Sequence, residues 1–307
     1  MTPGIPGDAR PSKNERREAA RDKARTLREV QKKQERRRKF ILQGGIIAAS
    51  LAIIAVIVLV LANGATPAGP GPLNMLSNGI KIGQDFKAVE TPALQAGKDP
   101  IANTPDPASS VIDIQLYVDY QCPICGAFAA ETGPQLATWV KSGAATVEIH
   151  PLAFLNNQSQ GTQYSTRAAN AAACVANFDP DRFFEYNTAL FTNQPAEGTP
   201  GLTDAELFDR AKSVDVKNAD DIEKCINSLQ FKAWVKDATN RALGNPIPNS
   251  NVDALQGTPT VVVNGQKFDY STPFNKDEFA AFVVQVAGAT FNENSTSTPS
   301  PTPTQAP

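Results

Sequence analysis

Histidine is almost missing from this 307-residue chain, and cysteine, tryptophan and methionine are sparse, at one His, four Cys, two Trp and two Met. With only His150 and a single close cysteine spacing, the chain lacks the two short ligand pairs of a closed structural zinc site. No metal or cofactor is expected. Aromatic residues are absent before Phe40, and Glu15, Glu18, Asp22, Glu29 and Glu35 interrupt the basic N-terminus. Nucleic acid is therefore not an expected partner. A solvated helix near anionic lipid headgroups accounts better for that segment. No internal repeat is evident.

Charge is unevenly laid out. Residues 1–39 hold 14 Lys or Arg against 6 Asp or Glu, a net of +8, and everything from Phe40 onward sums to -10. Phe40 to Ala62 then gives 23 residues without a charge. At the helical rise this run covers roughly 34 Å, enough to cross the hydrocarbon core of a bilayer. It is longer than a signal-peptide apolar region, and Ala62-Asn63-Gly64 is a poor small-x-small cleavage site. The segment 40–62 reads as a retained single-pass anchor in the lipid bilayer, with residues 1–39 in the cytoplasm. All four cysteines then lie outside, where disulfides persist.

Residues 63–108 read as a Gly, Pro and Ala-rich tether to about Asn78 and then an N-terminal extension, within which Ile80-Lys81-Ile82 has strand character. A compact domain is expected from about 109 to 290. Val111 to Val118 reads as a strand, Gly126 to Val140 as a helix and Ala145 to Ile149 as the next strand. This order suits an α/β sheet whose chemistry gathers beyond strand C-termini. Residues 163–244 insert helical material. Asp179-Pro180, flanked by Phe178 and Phe183, and Thr203 with Glu206, flanked by Leu202 and Leu207, are predicted helix starts. One more helix is expected over Asp220–Leu243. Val261 to Phe268 reads as a hairpin turning at Asn264-Gly265. Asn275 with Glu278 opens a final helix to Val286, and the Ser, Thr and Pro of 291–307 predict a disordered tail.

Cys122-Pro123-Ile124-Cys125 follows the first long strand by four positions. This spacing brings both sulfurs to the first turn of a helix, where unpaired amides and the helix dipole stabilise a thiolate on Cys122. Pro123 suits the first helical position, where its missing N–H is not needed. Cys125, one turn further in, is placed to resolve a mixed disulfide. A structural bridge or half of a metal site also explains two neighbouring cysteines, but neither requires the strand–CPxC–helix order. Asp119 either assists proton transfer or caps the helix. His150 serves either as a base or in local hydrogen bonds. Pro259 is compatible with the first position of a strand, where a missing donor is tolerated.

Residues from about 109 to 288 resemble the DsbA-like branch of the thioredoxin superfamily, the bacterial disulfide-forming proteins. The resemblance rests on Tyr117-Val118-Asp119-Tyr120-Gln121-Cys122-Pro123-Ile124-Cys125, on the helical insertion, and on Gly257-Thr258-Pro259-Thr260 ahead of a strand. It implies a thioredoxin-like α/β fold with a helical insertion, Cys122 as the exchanging sulfur and Cys125 as the resolving one. It also implies that Thr258-Pro259 is a cis-proline loop beside the pair, offering backbone bonds to an extended peptide. Several relatives carry His within the dipeptide where this chain has Ile124, which predicts a less strongly oxidising pair. The buried acid often found six residues before the first cysteine is Leu116 here.

Cys174 and Cys225 fall on two different predicted helices of the insertion. A structural disulfide between them would enclose 50 residues and stabilise the fold by roughly 4 kcal/mol on chain-entropy grounds. A second redox pair and buried free thiols are the alternatives. The expected function is that of a monomeric enzyme that introduces disulfides into unfolded, cysteine-containing exported proteins and is reset by a membrane redox partner. A reductase or isomerase, or an inert thioredoxin-like binding protein, is the alternative. Residues 63–108 are too short and too poor in helix and strand signals to supply the second domain an isomerase often uses.

Overall fold

The computed structural model describes residues 69–105 and 109–296. The expected anchor over 40–62 and the basic segment 1–39 lie outside the described residues. Among those described, no helix is long and apolar enough to cross a membrane.

Among the described residues, five strands form one sheet: β1 (Ile80–Ile82), β2 (Ile112–Val118), β3 (Ala145–Pro151), β4 (Thr260–Val263) and β5 (Gln266–Lys267), in the order β1-β3-β2-β4-β5. β2 is central. It runs parallel to β3, with Ile114 opposite Val147 and Leu116 opposite Ile149, and antiparallel to β4, with Tyr117 opposite Thr260. Parallel neighbours need a crossover, and helix α1, Pro123–Ser142, supplies it. β2 is buried almost throughout, Asp113 and Gln115 included. Burying polar groups there is costly unless they are paired. Lys81 Nζ, at 2.6 Å, and Thr146 Oγ1, at 3.0 Å, meet Asp113 Oδ1, while Gln115 donates to the Pro248 carbonyl.

β1 pairs antiparallel with β3, Ile80 opposite Ile149, and Met75, Ile80 and Ile82 are fully buried. The packed chain therefore starts upstream of Ser109, because β1 covers the outer edge of β3. At the other side of the sheet, Asn264 (φ 44°) and Gly265 (φ 82°) make the two-residue turn between β4 and β5, the left-handed pair that such hairpins require.

α1 buries Cys125, Phe128, Thr132, Leu136 and Val140, a stripe recurring every three or four residues. Phe128 meets Phe274 and Phe279 edge-on at 5.3 and 5.5 Å. Truncating such a ring to Ala typically costs about 3–5 kcal/mol, so this contact fixes the helix, and with it the cysteines at its start, against the sheet.

Between β3 and β4 come α2 (Tyr164–Phe178), α3 (Phe183–Phe191), α4 (Asp204–Lys212), α5 (Ala219–Ser228) and α6 (Lys232–Gly244). α4 opens with a complete capping box between Thr203 and Glu206. Asp179 does not cap: its Oδ2 accepts the Lys217 amide at 2.6 Å, and Pro180–Arg182 form a 3-10 turn ahead of α3. The single helix expected over Asp220–Leu243 is two, because Leu229 turns left-handed at φ 51° and closes α5. Ile226, Phe231 and Trp234 are buried on both sides of that break, which keeps the apolar pattern continuous in sequence. The final helix α7, Lys276–Thr296, runs beyond the expected end at Val286 and into the stretch expected as tail. Its start is not the reciprocal box expected, since Asn275 Oδ1 accepts the Asp277 amide while the Glu278 carboxylate accepts the Ser271 hydroxyl.

Candidate active site

β2 ends at Val118, and the chain turns through Asp119–Gln121 into α1. The Cys122 amide donates to the Asp119 carbonyl at 3.0 Å. Cys122 is the N-cap of α1, in extended conformation (φ -74°, ψ 116°), with Pro123 in the first helical turn. The side chains that hold this turn come from elsewhere. Asp119 is wholly buried. Its Oδ1 accepts the Gln121 amide at 2.8 Å and the Ser165 hydroxyl at 2.8 Å, and its Oδ2 accepts the Leu155 amide at 2.7 Å. Burial pushes its carboxyl above the usual range, against these donors. Asp119 therefore ties the turn to α2 and to the loop after β3 rather than capping α1 with its carboxylate. Gln121, also wholly buried, donates to the carbonyls of Gln158 and Thr199, each at 3.2 Å.

The register of the sheet brings in the second wall. Because Thr260 pairs with Tyr117 near the end of β2, the residues just before β4 arrive level with the cysteines. The Thr258–Pro259 peptide is cis, and the Thr258 carbonyl accepts from Cys122 Sγ at 3.2 Å. The Thr260 hydroxyl closes this loop on the Gly257 carbonyl at 2.8 Å, and the Tyr270 hydroxyl donates to the Pro259 carbonyl at 3.3 Å. A cleft of about 380 Å³ opens beside the loop, lined by Val252, Gly257, Thr258, Pro259, Phe268 and Tyr270 among others.

Cys122 and Cys125 are unbonded thiols, and their environments differ sharply. Hydrogen bonding from the Cys125 thiol, the Thr258 side chain and the Cys125 and Ile124 amides outweighs burial and holds the Cys122 thiol down at about 6. Burial, then the neighbouring Cys122, pushes the Cys125 thiol well above the ordinary value. Cys122 is more enclosed than a residue at a helix mouth suggests: it keeps 5% of its surface, against 1% for Cys125. The Thr258–Pro259 loop is the reason, since it lies directly on the outer sulfur. Ile124, by contrast, is 39% exposed.

His150 stays apart from this chemistry. Its ring stacks on Tyr117 at 4.2 Å, and its Nε2 stands 3.3 Å from Glu148 Oε1. It lines a separate cavity of about 340 Å³ with Tyr117, Leu152 and Arg241, and neither cysteine borders that cavity. Cys174 on α2 and Cys225 on α5 are joined, with sulfurs 2.00 Å apart and Cα atoms 5.8 Å apart. Among the described residues no group of three or more His, Cys, Asp or Glu is placed to hold a metal. The sequence assigns no contact to the Gln121 side chain or to Tyr270, whose partners lie apart from them along the chain and leave no local signal.

A family model described as Thioredoxin matches residues 106–283. Over 164 residues, 52% of this chain, the sequence is 37% identical to the serine/threonine-protein kinase PknE of Mycobacterium tuberculosis, and the match takes in 28% of that protein. The chain thus spans less than a third of the kinase's length. Over 166 residues, 54% of the chain, it is 25% identical to disulfide bond formation protein D of Bacillus subtilis, covering 67% of that protein. Among solved structures, the reduced form of the disulfide bond oxidoreductase DsbG from Mycobacterium tuberculosis aligns with a TM-score of 0.50 and 26% identity. That alignment covers 76% of this chain and 97% of the other.

Proposed function

The chain belongs to the thioredoxin family, and on that premise we propose that it is an extracytoplasmic thiol–disulfide oxidoreductase that introduces disulfides into exported, cysteine-containing proteins. The observation that carries this reading is the placement of the pair: Cys122 at the N-cap of α1, its sulfur 3.2 Å from the Thr258 carbonyl of the cis-proline loop, with Cys125 buried behind it, so that hydrogen bonds hold the outer thiol down while burial pushes the inner one up. In the disulfide form, a client thiolate attacks Cys122 Sγ. The sulfur–sulfur bond breaks, its electron pair goes to Cys125, and that sulfur takes a proton because burial disfavours its charge. A second client thiolate then attacks the client sulfur of the mixed disulfide, and Cys122 leaves as a thiolate. The client has lost two electrons and the enzyme has gained them as a dithiol. A low thiol pKa makes Cys122 the better leaving group in this last step.

The loop at Thr258–Pro259 and the cleft beside it suit an extended client segment. The charge-free run at 40–62 supports a membrane anchor that keeps the domain near clients and near a membrane redox partner that resets the disulfide. The joined Cys174 and Cys225 serve as a structural disulfide of the insertion. The partial match to a kinase favours one rival, a thioredoxin-like binding domain without turnover. Mixing the oxidised protein with a reduced, unfolded peptide bearing two cysteines decides between them. An oxidase yields one peptide disulfide per enzyme disulfide lost, and an inert scaffold yields none. A reductase runs faster from dithiol enzyme to oxidised peptide.

A further inference from the structure

One side chain of the helical insertion reaches the redox turn. Gln194 lies between α3 and α4, and its Nε2 donates to the Tyr120 carbonyl and to the Cys122 carbonyl, both at 2.9 Å. These two acceptors fix which end of the amide faces the turn, so Oε1 points away, toward α1. There it occupies the space that a side chain on residue 126 would need: a Cβ added to Gly126 would stand 2.2 Å from Gln194 Oε1 and 3.1 Å from its Cδ. A glycine inside a helix is less stable than an alanine. Gly126 lies within α1 and is not among the glycines with positive φ, so its backbone conformation does not require glycine.

We propose that Gln194 is a positioning residue for the exchanging cysteine, and that residue 126 is glycine to leave room for it. The Gln194 amide brackets the Cys122 peptide, taking one carbonyl before it and the one it carries. The Cys122 carbonyl also accepts the first bond of α1, from the Gly126 amide at 3.1 Å. Held at both places, Cys122 keeps the extended cap conformation that turns its sulfur toward the amides of Ile124 and Cys125. Gln121 adds a second tie to the same insertion segment, through the Thr199 carbonyl. The insertion is thereby built into the geometry of the active turn as well as into the core.

The inference rests on Cys122 being the exchanging sulfur, and its test reads that sulfur directly. Ultraviolet thiolate absorbance is titrated in the reduced parent, Gln194→Met, Gly126→Ala, Gln194→Ala and the Gln194→Ala/Gly126→Ala double variant, each against its own Cys122→Ser background. Gln194→Met keeps the length and the neutrality but cannot donate, so its thiolate-to-thiol ratio at Cys122 falls about tenfold at a given pH. Gly126→Ala displaces the glutamine and falls similarly. In the Gln194→Ala background the added methyl has room, so Gly126→Ala produces no further fall and raises the melting temperature. A parental titration in Gln194→Met, or a full additional effect of Gly126→Ala in the double variant, overturns the inference. Failure of the parent to oxidise a client would instead count against the oxidoreductase reading, since the titrations decide the role of Gln194 whatever the turnover.

Discussion

The Thr258 carbonyl oxygen stands 3.2 Å from Cys122 Sγ, while the hydroxyl of the same residue is buried with no hydrogen-bond partner beside the thiols. The two groups act in opposite senses. The carbonyl accepts the S–H of a protonated Cys122, and the hydroxyl is free to donate once the sulfur is a thiolate, which is one of the causes holding this thiol low. Thr258→Val removes the donor and keeps the branch. We expect the Cys122 titration to move up from about 6 toward the ordinary value of 9.0, with alkylation slowed by up to about tenfold where the thiol form predominates. Alkylation rates measured across pH check this, and an unchanged midpoint would mean that the hydroxyl plays no part.

The same low thiol makes the stability of the reduced protein depend on pH. Cys122 ionises at about 6 when folded and near 9.0 when unfolded, so over this window the unfolded chain binds more protons. Stability of the dithiol form relative to the disulfide form therefore rises with pH from about 6 upward, and this contribution is absent below that window. Cys125 acts in the opposite direction only at higher pH, since its folded value is raised. Denaturant melts of both redox forms between pH 5 and 9 check the sign. A pH-independent difference between the two forms would contradict it.

The disulfide between Cys174 and Cys225 predicts a different signature. It joins α2 to α5, and neither Cys122 nor Cys125 takes part in it. Cys225→Ser should cost about 4 kcal/mol on loop-closure grounds, within a typical range of 2–4, and lower the melting temperature. The reduction potential of the Cys122–Cys125 pair should stay at its parental value. Lost peptide oxidation with unchanged stability would point to a relay role instead.

Local signals were legible where neighbouring residues determine the outcome. Pro123 marks the start of α1, Thr203 and Glu206 cap each other, and Asn264-Gly265 makes the hairpin turn, each through contacts within three residues. Outcomes set by the tertiary fold were not legible. Nothing in Ile80-Lys81-Ile82 states that it borders β3. The break at Leu229 is hidden by an apolar pattern that continues into α6, where Asn170 Oδ1 accepts the Phe231 amide across 61 residues. Asp119 read as a proton carrier or, more readily, as a cap. Its partners, Leu155 and Ser165, lie 36 and 46 residues away, and they make it a clamp on the active turn. The enclosure of Cys122 likewise depends on Thr258, 136 residues downstream.

The most direct measurement is the pH dependence of alkylation of the reduced protein, read at each cysteine separately by mass spectrometry. Cys122 should be modified first, with a midpoint at about 6, while Cys125 stays unreactive through neutral pH. Two equal thiols titrating near the ordinary value of 9.0, or a Cys122 that no reagent and no client reaches, would contradict it.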